Sequence, residues 1–225
     1  MLDSGEVLLY SGYKEENAPY THQVALMLSK EARNTLIGWE SHRSRIIKVP
    51  FKTVKEGITM NVIQCYAPTN DSNDDDDKDR FYSRLQPIIT KCPGKDLTIL
   101  MEDLDAKVGI VNTVYEDIFG RHGMEEMNGN GDRFANLCEF NKLVTGGIIF
   151  PQKRIHKAIW VSPDHTTENQ TDHICINKIL RSTIEDVGTR KRADIASDHH
   201  LPGGRQDETE ARETLDNWKN SITEV

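Results

Sequence analysis

ITMNVIQCYAPTNDSNDDDDKDRFYSRLQPIITKCPGKDLTILMEDLD, residues Ile58–Asp105, sets the architecture in a single passage. Residues 58–66 are rich in β-branched and aromatic side chains and read as a strand, which Pro68 ends. An acidic stretch, residues 71–79, reads as a solvated loop leading into a helix. On that helix Phe81, Leu85, Ile88 and Ile89 recur at helical spacing along one face. Cys92, Pro93 and Gly94 stop it. Leu97 to Met101 is an apolar run of the buried-strand type, and it leads directly into Glu102 and Asp103.

On the N-terminal side, residues 7–10, 24–28 and 46–51 have the same strand-like composition. On the C-terminal side, a glycine- and asparagine-rich loop over 120–131 precedes a helical segment, 133–141. Further strands are expected at 143–150, 158–161 and 173–177. Strands and helices intermix without strict alternation, which predicts an α/β layered sandwich rather than a doubly wound sheet. With no internal repeat and no linker, one domain over residues 1–201 is expected. An acidic tail, 202–225, carries only Leu215, Trp218 and Ile222 as an apolar stripe and reads as disordered or weakly helical.

Composition narrows the function classes. Hydrophobic residues are 36% and charged residues 28% of 225, a polar but globular balance. No apolar run approaches the roughly 18 residues of a membrane span, and the N-terminus has no basic region followed by an apolar core. An intracellular, non-secreted protein without a membrane partner is therefore expected, in the nucleus or the cytoplasm. The four cysteines show neither paired nor zinc-ligand spacing and read as reduced thiols. A net charge of −8 disfavours a general nucleic-acid coat protein. It leaves room for a nuclease whose acidic site holds a metal, and residues 71–79 and 207–216 carry much of the excess.

Four chemical clusters stand where strands end: Tyr66 with Ala67-Pro68-Thr69, Glu102 to Asp105, Asp172-His173-Ile174, and Ser197-Asp198-His199-His200. Each alone is what an ordinary turn provides. Together they make a hydrolytic set. Cleaving a phosphodiester requires charge neutralisation, a base for the attacking water and a carboxylate that fixes the base's tautomer. Asp198 offers oxygen to a hard cation, and His199 can act as base or contact the phosphate. Asp172 can orient His199, Asp103 can position water, and the Tyr66 hydroxyl can donate to a non-bridging oxygen.

This order (a tyrosine in a YAP strand, then GDxN, DH and SDH) resembles the endonuclease/exonuclease/phosphatase superfamily. The text around it, "MNVIQCYAPTND", "KDLTILMEDLDAKVG", "NGDRFANLCEFNKLVTGGIIFPQKRIHKAIW", "SPDHTTENQTDHICINK" and "ADIASDHH", resembles the endonucleases of RTE-type non-LTR retrotransposons and host proteins of the craniofacial development protein group. The likeness runs from about Leu8 to Leu201. It implies a four-layer α/β sandwich, two facing mixed sheets flanked by helices. The implied activity is nicking of DNA with Mg²⁺ or Mn²⁺, to prime a reverse transcriptase encoded downstream. By this match Tyr66, Asp103, Asp172 and His199 are catalytic and should share one cleft, and Asp198 is a metal ligand. Asp105 takes the place of the GDxN asparagine, and His200 lies outside the match.

The chain departs from the family pattern in three places. The resemblance begins downstream of the family's metal-binding glutamate, so that ligand and the strands that precede it are expected to be absent. Glu102 and Asp105 replace the glycine and asparagine of GDxN, adding charge near the expected phosphate, and Ile159 takes the place of a family threonine. After Leu201, Pro202-Gly203-Gly204 and an acidic run replace a lysine-rich strand, as a shifted reading frame would. Impaired chemistry is the expectation, with no detectable nicking and little gain from Asp105→Asn alone. The alternatives are an active enzyme that recruits another acidic residue, a non-catalytic binding module and a decayed element without function.

Overall fold

A computed structural model of the chain describes residues 5–11, 24–69, 75–103, 106, 118, 127–145 and 172–179, together with short paired strands at 160–161, 168–169, 189–190 and 201–202. Two compact units divide the chain, Met1–Leu104 and Asp105–Val225.

The first unit contains two sheets that face each other. Strands β1 (Val7–Tyr10) and β2 (Ala25–Leu28) pair antiparallel, Val7 opposite Leu28 and Tyr10 opposite Ala25. A short helix, α1 (Lys30–Thr35), follows, capped by Ser29, whose side chain accepts from the Ala32 amide at 3.2 Å. Strands β3 (Glu40–Ser41), β4 (Ile46–Lys52), β5 (Thr59–Tyr66) and β6 (Leu97–Asp103) lie side by side in that order. β3 with β4 and β4 with β5 pair antiparallel, whereas β5 and β6 pair parallel. A parallel pair needs a long crossover, and helix α2 (Asp75–Thr90) supplies it.

Strand alternation gives each residue of this sheet a definite face. Ile47, Val49, Phe51 and Val62 pack on Leu9, Val24 and Leu28 of the β1–β2 side, with Met60, Tyr66, Ile99 and Met101 partly buried around them. On the opposite face Ile46, Ile63, Cys65 and Leu100 are fully buried. Cys92, just past the end of α2, hydrogen-bonds with Thr98 on that second face. α2 in turn buries Phe81, Tyr82, Leu85, Ile88 and Ile89.

The second unit contains helix α3 (Gly129–Asn141) and strand β7 (Leu143–Thr145). Strands β8 (Trp160–Val161) and β9 (Glu168–Asn169) pair antiparallel. Strand β10 (Asp172–Asn177) pairs antiparallel with β7, Cys175 opposite Thr145, and β11 (Thr189–Arg190) pairs with β12 (Leu201–Pro202). Phe134, Ala135, Cys138, Leu143 and Ile176 form its buried centre.

The α/β class with a mixed sheet and flanking helices is the one expected, and three boundaries move. The acidic stretch is only partly a loop: Asp75, Asp76 and Asp77 form the first turn of α2, where exposed amide groups favour negative charge. β6 continues through Glu102 and Asp103 instead of ending at Met101. α3 begins at Gly129 because Asn128 caps it, its side chain accepting from the Gly131 amide at 2.8 Å. The expected strands at 146–150 and 158–159 and the tail, 203–225, lie outside the described residues. Among the described residues no helix is long and apolar enough to cross a membrane.

Candidate functional site

Tyr66 and Asp103 are the last residues of β5 and β6, and they are register partners. Because the strands are parallel, both stand at carboxyl ends, the edge at which open α/β sheets bind ligands. Because partners in register share a face, both lie on the side of the sheet that carries Val62 and Met101. Pairing continues one residue further, the Ala67 amide donating to the Asp103 carbonyl at 2.9 Å. Pro68 has no amide hydrogen to extend the ladder.

Arg45 holds this edge together, and the sequence reading passed over it. Its Nη1 donates to the carbonyls of Tyr66 at 3.3 Å and Ala67 at 3.2 Å. Its guanidinium lies over the Tyr66 ring, 5.2 Å from the centroid. The Tyr66 amide donates to the Arg45 carbonyl at 3.0 Å. The turn between β3 and β4 delivers Arg45 to this place. Arg43 takes a left-handed backbone, φ 62°, and the Ser41 hydroxyl donates to its carbonyl at 2.9 Å. The His42 amide closes the turn on the Ile46 carbonyl at 2.8 Å. Ile46 then pairs with Cys65, which puts Arg45 level with Tyr66. Only the register shows this proximity, since the two residues are 21 apart in sequence.

Glu102 does not behave as the sequence reading expected. It precedes Asp103 by one residue, so it lies on the opposite face, where it is 4% exposed. Its side chain is packed on the side of Cys65 and Leu100, away from the face of Tyr66 and Asp103.

In the second unit Asp172 is the first residue of β10. His173 next to it is buried; its Nε2 is 2.9 Å from the Ala106 carbonyl, and its ring stacks on Phe134 with centroids 5.2 Å apart. A carbonyl can only accept, so Nε2 carries the hydrogen, and the residue fastens position 106 to β10. Asp105, Asp198 and His199 lie outside the described residues. Among the described residues no three His, Cys, Asp or Glu side chains are grouped to hold a metal. The edge formed by Tyr66, Asp103 and Arg45 therefore offers a phenol, a carboxylate and a guanidinium, a set suited to an anion and a water.

No family model matches the chain. Over 178 residues, 79% of its length, it is 35% identical to craniofacial development protein 2 of Bos taurus and 33% identical to that of Tragulus javanicus. The chain spans 29–30% of the length of these curated relatives. Among solved structures it is similar to the endonuclease domain of TRAS1, a telomere-specific non-LTR retrotransposon, with TM-score 0.56 and 11% identity over 87% of this chain and 77% of that one. It is similar to an endonuclease/exonuclease/phosphatase family protein of Leptotrichia buccalis, with TM-score 0.56 and 18% identity over 88% and 70%. It is also similar to a Neisseria 3' phosphatase bound to product DNA hairpin, with TM-score 0.57 and 16% identity over 87% and 77%.

Proposed function

We propose that this chain, whose fold is that of endonuclease/exonuclease/phosphatase proteins, carries a DNA phosphodiesterase site of retrotransposon-endonuclease ancestry, with strongly impaired turnover. The register partnership of Tyr66 and Asp103 at the carboxyl ends of two parallel strands carries this reading. Tyr66 would donate to a non-bridging phosphate oxygen, and Asp103 would accept a hydrogen from the attacking water and so aim it. His199 would act as the base, with Asp172 fixing its tautomer. Asp198 would hold Mg²⁺ or Mn²⁺, which when bound neutralises phosphate charge. Residues 1–201 would act as one catalytic domain inside the cell, with 202–225 as an acidic tail. In the parent element the nick would supply a primer to a reverse transcriptase.

Asp105 would contribute to the impairment. Asp105 follows Asp103 by two residues in the sequence. A carboxylate beside the bound phosphate would repel it where the family's amide could bind it.

The test is nicking of supercoiled plasmid by stoichiometric protein with Mg²⁺ or Mn²⁺, compared with His199→Ala and Asp103→Asn. Trace conversion that both substitutions abolish is the expected result. Conversion that survives both overturns the assignment. Rapid turnover at catalytic amounts overturns the impairment.

A further inference from the structure

We propose that Arg45 is the positioning residue for Tyr66, setting both the backbone at the end of β5 and the plane of its ring; this rests on the phosphodiesterase reading above. A cation that satisfied strand-end carbonyls alone would have no reason to cover the aromatic ring. Arg45 does both. One nitrogen, with its two hydrogens, serves two successive carbonyls, Tyr66 and Ala67, and the flat guanidinium lies over the ring. These carbonyls sit where the β4–β5 ladder runs out, since Ile46 opposite Cys65 is its last pair. Without Arg45 the chain from Tyr66 onward would keep fewer restraints. Tyr66 would keep its hydrogen bond to the residue-45 carbonyl, which any side chain permits, but would lose the guanidinium that lies over its ring.

The guanidinium is required, and charge alone is not enough. A lysine ammonium is a compact, strongly hydrated point charge without a planar face to stack on a ring. Arg45→Lys therefore keeps the charge and loses the geometry, which separates positioning from electrostatic support.

The experiment uses the full chain labelled with 3-fluorotyrosine and read by fluorine NMR. Tyr66→Phe assigns the Tyr66 signal among the six tyrosines. In Arg45→Lys and Arg45→Gln the Tyr66 signal should shift and broaden while the other five stay in place. Arg43→Gln, the same charge change in the same turn, should leave it unmoved. This readout needs neither DNA nor turnover, so it stands whatever the plasmid assay shows. Where nicking is measurable, Arg45→Lys should lower kcat about a hundredfold with little change in KM, as a displaced catalytic group does. An unmoved Tyr66 signal in Arg45→Lys overturns the proposal. So does a collective shift of all six signals in Arg45→Lys, which would make Arg45 a general structural residue. Should Arg45→Gln fail to fold, the conservative Arg45→Lys decides alone.

Discussion

Tyr66 and Asp103 stand opposite each other at the last positions of β5 and β6, held there by parallel pairing that runs from Met60 and Leu97 to this edge. Seven consecutive partner pairs fix the register, and a slip of one residue would move either side chain to the other face. The parallel register thus presents a phenol and a carboxylate together.

Exchanging only the polar groups of this pair should separate chemistry from folding. Tyr66→Phe and Asp103→Asn keep shape and burial, so their effect on stability should be about 1 kcal/mol or less. Each should lower any nicking about a hundredfold or more, the usual effect of deleting one group aimed at the reacting phosphate or water. Gel conversion of plasmid and thermal unfolding of the same samples measure the two sides. Unchanged nicking in both variants would remove this edge from the reaction.

Glu102 makes the converse case. Because it is buried on the face opposite Tyr66, Glu102→Gly should cost about 1–3 kcal/mol in stability, from lost packing and added backbone freedom. DNA binding and nicking should stay within about twofold, since the change does not reach the face of Asp103. Urea unfolding and a binding titration check this. A large gain in nicking by Glu102→Gly would mean that the side chain reaches the phosphate after all.

The strands were legible because their hydrophobic runs have one reading each: residues 46–51 and 58–66 become β4 and β5 with little change at either end. The ends of helices were less so. The starts of α2 and α3 depend on charge and capping at Asp75 and Asn128, where hydrophobic spacing gives no signal. Tyr66 and Asp103 could be singled out because each ends an apolar strand. Arg45 could not, since its place beside Tyr66 depends on the β4–β5 register and on the left-handed Arg43 before it. The side on which Glu102 falls likewise required knowing that β6 continues past Met101.

Asn128 should be the main cap of α3, because its side-chain oxygen takes the Gly131 amide that the helix cannot satisfy internally. Asn128→Ala should destabilise the second unit by about 1 kcal/mol, and Asn128→Asp should restore most of that. Hydrogen exchange at the first-turn amides of α3 would show the local loosening. Equal protection in the alanine variant and the parent would mean the cap contributes nothing.

Cys92 should be the first thiol to alkylate in the folded chain, since Cys65, Cys138 and Cys175 are buried and Cys92 is only partly so. Burial pushes its thiol above the ordinary value of 9.0, against a smaller lowering by Lys48 and the Thr98 hydrogen bond. Its reaction with iodoacetamide should therefore keep accelerating past about pH 9, because the thiolate is the reactive form. The same sign makes this thiol stabilising below its unfolded pKa, with the contribution lost as pH rises through the folded value. Peptide mapping of the labelled site against pH measures the profile. A rate that levels off below pH 8, or earlier labelling of Cys65, would contradict it.

Asp105 gives the sharpest prediction about DNA. If its carboxylate sits near the bound phosphate, Asp105→Asn removes one repulsion of about 1 kcal/mol, the size of a close charge pair in water. That corresponds to roughly fivefold tighter binding, since each 1.4 kcal/mol is a factor of ten. Fluorescence anisotropy on a short labelled duplex, in chelator and without metal, reads binding with no contribution from cleavage. Glu139→Gln, a charge-matched change on the exposed side of α3, controls for the overall charge of the protein. Asp105→Asn should tighten binding several-fold more than this control, and added salt should shrink the difference because exposed charges are screened. Equal effects from the two substitutions would show that Asp105 lies away from the DNA, and its proposed share in the impairment would fall with it.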